Sequence, residues 1–234
     1  MHVLKGTPPI SLLVRRSPRA RRISLRVSRL DGRVTLTLPR GVTDREGLAF
    51  AESRSDWIRG HLADLVAPEI VGADTVIPVE GRDRRIVAGA GAGVRLLPDT
   101  IEAPLHRPSP ERRIGAFLKA LARDRLALAA DHYAKQLGLG YSRLTLRDTR
   151  SRWGSCSAQG ALNFSWRLIL APPEVLRYVA AHEVAHLAEM NHSSRFWARV
   201  EEIHGPYAAP RDWLRVRGET LHRYRFEAAA QPTD

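Results

Sequence analysis

The chain has 234 residues, of which 44% are hydrophobic and 26% are charged, and these values are ordinary for a globular protein. No segment approaches the roughly 18 consecutive apolar residues that a membrane helix needs, so we expect no membrane span. The N-terminus lacks an apolar stretch that ends in a small-residue cleavage site, and we therefore expect a cytoplasmic protein. Cys156 is the only cysteine, which excludes an intrachain disulfide.

The formal net charge of +12 is typical of a protein with an anionic partner such as nucleic acid. However, only Lys5, Lys119 and Lys135 interrupt an otherwise all-arginine set, and such usage is also typical of the coding bias of a GC-rich genome. We favour solvated charge and keep nucleic-acid binding as an open alternative. The densest basic run, from Arg15 to Arg22, is interpreted as a loop between two strands.

The N-terminal third of the chain predicts a small sheet followed by one helix. Residues 10 to 38 alternate between apolar and polar in the manner of strands, and Asp31-Gly32 between two such runs indicates a hairpin. Thr43-Asp-Arg-Glu46 has the pattern of a capping box. Apolar residues then recur at helical spacing through Trp57 to Leu65, which predicts a helix of about 20 residues.

Short apolar runs between residues 76 and 97 are interrupted by glycines and predict a second small set of strands. Pro104, Pro108 and Pro110 follow, and we place a domain boundary in this stretch. The predicted organisation is an N-terminal β-rich region at 1–103 and a C-terminal core at 109–229. One continuous domain is the alternative.

The C-terminal half predicts a mixture of helices and strands. A long helix should end near Gly138 or Gly140, with one stripe formed by Ile114, Leu118, Leu121, Arg125, Leu128 and Tyr133. Strands are expected at 144–146 and 161–165, on either side of Arg152-Trp-Gly-Ser-Cys-Ser157. Three further helices are expected at 173–189, 194–204 and 210–226. The predicted fold class is therefore α+β.

The stretch from Val179 to His192 carries the candidate metal site. His182 and His186 are four residues apart, so on a helix both imidazoles lie on one face and can reach a single ion. Glu183 follows the first histidine by one position, where its carboxylate can reach a metal-bound water without binding the metal itself. This pattern is typical of zinc hydrolases in which the carboxylate acts as general base.

A catalytic zinc normally has three protein ligands and one open position, so a third ligand is required. His192 is our first candidate, because Asn191 can end the helix in the left-handed conformation and let the chain turn back. Its offset from His182 equals the metzincin spacing, although Glu189 stands where metzincins have glycine. Glu201 or Glu202 on the next helix is the alternative third ligand. The remaining histidines lack partner spacing and are expected in surface or core roles: His61, His106, His132, His204 and His222.

Several motifs together resemble the YgjP-like metallopeptidase family, which is related to the SprT-like and WLM peptidases within the zincins. The resemblance rests on Arg152 to Ser157, Asn163, Tyr178 to Leu187, Asn191 to Ser193, and Phe196-Trp197. It extends to Arg19 through Pro39, to Trp57, and to Pro206-Tyr207. It implies a zinc metallopeptidase with a minimal zincin-like α+β core, one zinc ion held by the three histidines, and a protein or peptide substrate.

The resemblance also implies that Arg152, Trp153 and Gly154 lie beside the active-site helix, where an edge strand can bind extended substrate by strand addition. A purely structural role for these residues is the alternative, with Trp153 in the core and Gly154 at a bend. Donors to an oxyanion are expected from Tyr207, Arg152 or His204. Cys156 is not expected to bind the metal, because three histidines suffice.

Three functions are consistent with the sequence. The first is a zinc metallopeptidase with Glu183 as general base. The second is a non-proteolytic module in which zinc stabilises a surface that binds nucleic acid or protein. The third is a hydrolase of a non-peptide amide.

Overall fold

A computed structural model describes residues 2–28, 32–63 and 67–227. The contacts within the chain divide it into two compact units, one ending at Ala67 and one beginning at Pro68. Strands and helices are both abundant, in agreement with the predicted α+β class. Within the described ranges, no helix is long and apolar enough to cross a membrane.

The first unit contains a four-stranded sheet and two helices. The strands are β1 (His2–Leu4), β2 (Ile10–Arg16), β3 (Ser24–Val27) and β4 (Val34–Leu38), in the order β1-β2-β4-β3. Strands β3 and β4 pair antiparallel, as the predicted hairpin requires, although Asp31 of its turn lies outside the described residues. Alternation along the strands buries one face of the sheet, formed by Ile10, Leu12, Val34, Leu36 and Leu38.

The single helix predicted after Thr43 is wrong, because two helices are present: α1 (Asp44–Glu52) and α2 (Ser55–Ala63). The capping box is confirmed, since the Thr43 hydroxyl accepts from the Glu46 amide and the Glu46 carboxylate accepts from the Thr43 amide. The break occurs where the Ser53 hydroxyl donates to the Phe50 carbonyl at 2.8 Å. Serine competes in this way with the backbone ladder and ends the first helix. The predicted helical residue Leu65 lies outside the described residues.

The second unit begins with β5 (Glu69–Ile70) and continues with four strands that form a sheet in the order β6-β7-β9-β8. They are β6 (Val76–Val79), β7 (Arg82–Ala88), β8 (Arg95–Leu96) and β9 (Thr100–Ala103). Ile77, Ile86 and Ile101 share one hydrophobic cluster with Ile114 on the following helix. The contacts divide the chain between residues 67 and 68. The domain boundary that we place at the proline-rich stretch, between 103 and 109, stays a prediction. The hydrophobic cluster contains residues on both sides of the proline-rich stretch.

The long helix α3 (Pro110–Leu137) ends at Gly138, which has a positive φ of 64°, as predicted. Its predicted apolar stripe is partly wrong, because Leu128 is 69% exposed. The buried face instead passes through Ala122, Leu126 and Ala130. Small alanine side chains therefore form much of the buried face, and the predicted stripe did not include them.

The C-terminal part places a three-stranded sheet beside three helices. Strands β10 (Arg143–Arg147), β11 (Gly154–Cys156) and β12 (Ala161–Ser165) have the order β10-β12-β11, with β10 parallel and β11 antiparallel to β12. A 3₁₀ helix (Trp166–Leu170) leads into α4 (Pro173–Ala185), followed by α5 (Ser194–His204) and α6 (Ala208–Arg217). A second 3₁₀ helix (Gly218–His222) leads to β13 (Tyr224–Arg225), which pairs with β5.

Two of the predicted C-terminal helices are shorter than expected. The helix predicted at 173–189 ends at Ala185, and the helix predicted at 210–226 ends at Arg217. Helix α6 stops where the Thr220 hydroxyl donates to the Arg217 carbonyl at 2.7 Å. The chain then tightens into 3₁₀ geometry, a common way to end a helix.

Candidate metal centre

Helix α4 presents the candidate site from a buried position. Pro173 occupies its first turn, where a missing N–H costs nothing. Val175, Val179 and Val184 are buried and fix the helix in the core. Because the helix is held on its apolar side, the direction of its polar side chains is also held.

The structure brings His182, His186 and His192 together. One nitrogen from each ring lies within 4.8 Å of the other two. The Nε2 atoms of His182 and His192 are 3.0 Å apart. His182 lies in α4, His186 directly after its last residue, and His192 in the segment before α5. All three residues that the sequence predicted as ligands are therefore adjacent, and no other group of this kind exists among the described residues.

The segment that follows α4 orients the His186 ring and carries His192. The Nδ1 atom of His186 is 2.9 Å from the Glu189 carbonyl, so Nδ1–H donates and the Nε2 lone pair remains free. The Asn191 side-chain oxygen accepts from the Ser193 amide at 3.2 Å, and the Ser193 hydroxyl caps α5 by accepting from Phe196 N–H. Asn191 does not have the left-handed conformation that we expected. Its side chain instead closes the turn that contains His192 by accepting from the Ser193 amide.

Burial keeps the two histidines at the end of α4 neutral. Burial, together with His186, His192 and Arg211, lowers the pKa of His182 to about 3. Burial also lowers the pKa of His186 below its ordinary value. Neutral imidazole is the form that binds a metal ion. The Nδ1 atom of His182 is buried and has no hydrogen-bond partner within the described ranges.

Glu183 belongs to α4 and is 5% exposed, and its side chain lies against Gly154 of β11. Burial raises its pKa to about 8, and the charge of Arg152 opposes that shift. A Cβ atom added to Gly154 would lie 2.5 Å from both Cγ and Oε1 of Glu183. Gly154 is therefore required for the close approach of the strand to this carboxylate. The sequence predicts Gly154 as a substrate-binding candidate or a bend, and this contact with Glu183 was not predicted.

Aromatic side chains form the wall around the three imidazoles. Phe196 is fully buried, and its ring lies 4.4 Å from that of His186, 4.8 Å from His182 and 4.7 Å from His192. Trp197 lies 5.7 Å from His182 and 5.9 Å from His192. Sequence reasoning did not assign these residues to the wall. Their position three and four residues after the Ser193 cap is the signal that could have done so, since it turns them back towards His192.

Tyr207 lies on the same wall, where it contacts Trp197. Its ring stacks on Trp197 at 5.1 Å and lies 6.2 Å from Tyr178. The guanidinium of Arg211 lies 4.6 Å over the Trp197 ring. Arg211 was not anticipated, yet its charge contributes to the lowered pKa of His182. A positive group is thus held near the cluster by an aromatic ring.

The other predicted residues lie outside the cluster of three imidazoles. Trp153 packs against the backbone of Gly218 and lies 5.2 Å from the His222 ring, away from the imidazoles. Arg152 acts on Glu183 through its charge. His204 lies between Tyr133 and Tyr178, with ring separations of 6.1 and 5.9 Å. Neither Glu201 nor Cys156 belongs to the imidazole cluster in the described structure, and Glu202 pairs with Arg199.

Comparison with known proteins gives one family. The model described as "YgjP-like, metallopeptidase domain" matches residues 21–217. No curated protein matches the chain. A solved structure, the metallopeptidase zymogen of Pyrococcus abyssi abylysin, is 22% identical, with a TM-score of 0.35. The match covers 39% of this chain and 95% of that one, and the family assignment does not depend on it.

Proposed function

Because the chain belongs to the YgjP-like metallopeptidase family, we propose that it is a zinc peptidase in which His182, His186 and His192 hold one zinc ion. The observation that carries this proposal is the convergence of three imidazole nitrogens beside a buried carboxylate. The family match supports a metal-dependent peptidase. Zinc, its ligands and the base are our proposals.

The donor set fits zinc. Catalytic zinc sites use three protein ligands and leave one position open, and imidazole is a preferred ligand. The hydrogen bond from His186 to the Glu189 carbonyl is the kind of outer contact that fixes the tautomer of a metal-binding ring. A bound zinc ion would supply Lewis-acid chemistry and lower the pKa of a water molecule from about 15.7 to about 7.

Glu183 is the proposed general base. Its carboxyl group has a pKa raised to about 8 by burial, so it can both take and release a proton near neutral pH. It accepts the proton at a carboxylate oxygen while water attacks the peptide carbonyl. It then returns that proton to the leaving amine. The wall formed by Phe196 and Trp197 keeps bulk water from one side of this exchange.

Strand β11 is the proposed binding edge for the substrate peptide. It lies at the edge of its sheet and holds Gly154 against Glu183. An extended peptide that pairs with this edge would pass close to the base, and backbone hydrogen bonds would bind it with little sequence preference. Arg152 precedes this edge, and Tyr207 is proposed to contact side chains of the substrate from the aromatic wall.

A Glu183→Gln variant tests this function. We expect it to bind about one zinc ion per chain and to lose hydrolysis, because only the proton acceptor is removed. Digestion of an unbiased peptide library, read by mass spectrometry, measures the activity. Glu202→Gln is the matched control, since Glu202 is exposed and pairs only with Arg199 in the described structure. Full activity in Glu183→Gln would contradict the proposal.

The same digest distinguishes a peptidase from the other two functions. A zinc-bound protein that cleaves no peptide would favour a non-proteolytic binding module or a hydrolase of other amides. Cleavage at many sites in the wild type, and at none in Glu183→Gln, is the result we expect.

A further inference from the structure

A cavity of about 730 Å³ lies in the second unit, apart from the three imidazoles. Its walls come from the turn between β6 and β7, from α3, from the residues around the first 3₁₀ helix and from the start of α4. Its lining residues include neither Glu183 nor any histidine of the imidazole cluster. Its volume is within the range of pockets that hold small organic ligands.

The floor of the cavity is apolar. Ile169, Ala171 and Leu176 line it and are almost completely buried in the core. Leu128 lies at the cavity as well, yet 69% of its surface is exposed. Leu128 therefore adds exposed apolar surface beside the cavity, and a ligand in the cavity can cover that surface.

The rim of the cavity is strongly basic. Four arginines and one carboxylate line it: Arg82, Arg84, Arg125, Arg177 and Glu80. The carboxylate is already used, because Glu80 pairs with Arg125 at 2.6 Å. Arg84 is also fixed, since its guanidinium donates to the backbone carbonyls of Val79, Arg82 and Leu97. The cavity therefore keeps an excess of positive charge that its own acidic group does not cancel.

Arg82 and Arg177 are the two cations that remain available. Both are exposed, and neither guanidinium group forms a hydrogen bond or ion pair in the described part of the chain. They approach the cavity from different elements, β7 and α4. Two unpaired guanidinium groups above an apolar floor suit a ligand with an acidic head and an apolar body.

The turn that supports this rim has an unusual backbone. Glu80 has a φ of 52°, in the left-handed region that a residue other than glycine rarely adopts. Its amide donates to the Ile169 carbonyl at 2.7 Å, and Gly81 packs closely against Pro172. The Glu80 carboxylate pairs with Arg125, and no such pair with Arg82 or Arg177 is found among the described residues.

From these observations we propose that this cavity binds a small organic anion, whose acidic group contacts Arg82 and Arg177 and whose apolar part lies on Ile169, Leu176 and Leu128. The site is distinct from the metal centre and does not depend on the peptidase function. It shares helix α4 with that centre, because Arg177 lies five residues before His182 on the same helix.

The test uses the full chain and two fluorescent probes of nearly the same shape. Anilinonaphthalene sulfonate carries an acidic group, and phenylnaphthylamine lacks it. We expect the Arg82→Gln/Arg177→Gln double variant to weaken binding of the sulfonate probe by at least about tenfold, because two charge-assisted contacts are lost. Binding of the neutral probe should change by less than about twofold.

The matched control is Arg112→Gln/Arg123→Gln, which removes the same charge from exposed positions of α3 outside the cavity. It should leave both affinities within about twofold of the wild type, since distant exposed charges act weakly in salt. Thermal unfolding of each variant verifies that it is folded. Equal sulfonate affinity in the two double variants would overturn the proposal. An Arg82→Gln/Arg177→Gln variant that bound both probes more weakly to the same extent would also overturn it.

Discussion

Gly154 makes room for the buried Glu183 carboxylate. A methyl group at position 154 would lie 2.5 Å from Cγ and Oε1 of Glu183, closer than van der Waals contact allows. The carboxylate has little freedom to move, because Glu183 is 5% exposed and packed beneath β11. The Glu183 carboxylate is thus positioned by the absence of a side chain on the neighbouring strand.

The Gly154→Ala variant should therefore displace Glu183, the proposed base, without removing any proposed zinc ligand. We expect kcat to fall by about 100-fold, since a misplacement of roughly 1 Å can have that effect. Overpacking should also reduce the free energy of unfolding by about 1–3 kcal/mol. Steady-state cleavage of a peptide substrate and zinc content are the two measurements.

Gly140→Ala is the control for that variant, because nothing lies within 4 Å of a Cβ atom there. It should retain activity close to that of the wild type. If Gly154→Ala were as active as Gly140→Ala, the positioning role of Gly154 would be refuted.

Arg167 joins separate elements of the second unit at one buried point. Its side chain is 7% exposed, and it forms a two-pronged ion pair with Asp148 at 2.7 and 3.1 Å. The same guanidinium donates to the carbonyls of Leu221 and Tyr224, each at 3.0 Å. The first 3₁₀ helix, which contains Arg167, is thereby connected to the C-terminal segment that includes His222, beside Trp153.

Asp148→Ala should be costly because it leaves a buried guanidinium without its counter-charge. We expect a loss of about 2 kcal/mol in the free energy of unfolding, below the 3–5 kcal/mol of a fully buried pair, because Asp148 is 48% exposed. Asp212→Ala breaks an exposed pair with Arg215 and should cost less than about 1 kcal/mol. Urea unfolding of both variants compares them, and equal losses would contradict this account.

Local patterns predicted several elements well. Gly138 ends α3, and Thr43 with Glu46 begins α1, because both signals depend on backbone groups only a few residues away. The spacing of His182 and His186 likewise placed two imidazoles together, since helix geometry alone determines that distance.

Features that depend on distant contacts were not predictable in this way. The exposure of Leu128 reflects which face of α3 packs on the core, and the spacing of apolar residues does not determine that face by itself. The contact of Gly154 with Glu183 joins residues 29 positions apart in sequence. The break at Ser53 depends on one side-chain hydrogen bond that a helical pattern does not reveal.

At the scale of the whole molecule, the second unit contains every residue of the proposed site. Its core joins the β6–β9 sheet to α3, and β5 pairs with β13 near the C-terminus. A fragment of residues 68–234 should therefore unfold cooperatively and bind zinc. A fragment of residues 109–234 begins at the sequence-based boundary, and it should not fold, because it lacks Ile77, Ile86 and Ile101 of that core. Circular dichroism during thermal unfolding distinguishes the two, and a cooperative transition in the shorter fragment would favour the sequence-based boundary.

Zinc content per chain tests the central claim most directly. The wild type, dialysed against buffer with trace zinc and measured by atomic emission, should hold about one zinc ion per chain. His192→Ala should hold far less at the same free zinc concentration, because loss of a ligand weakens the site. His106→Ala, which changes an exposed histidine outside the cluster, should match the wild type. Full zinc occupancy in His192→Ala, or a wild type without zinc, would contradict the three-histidine site.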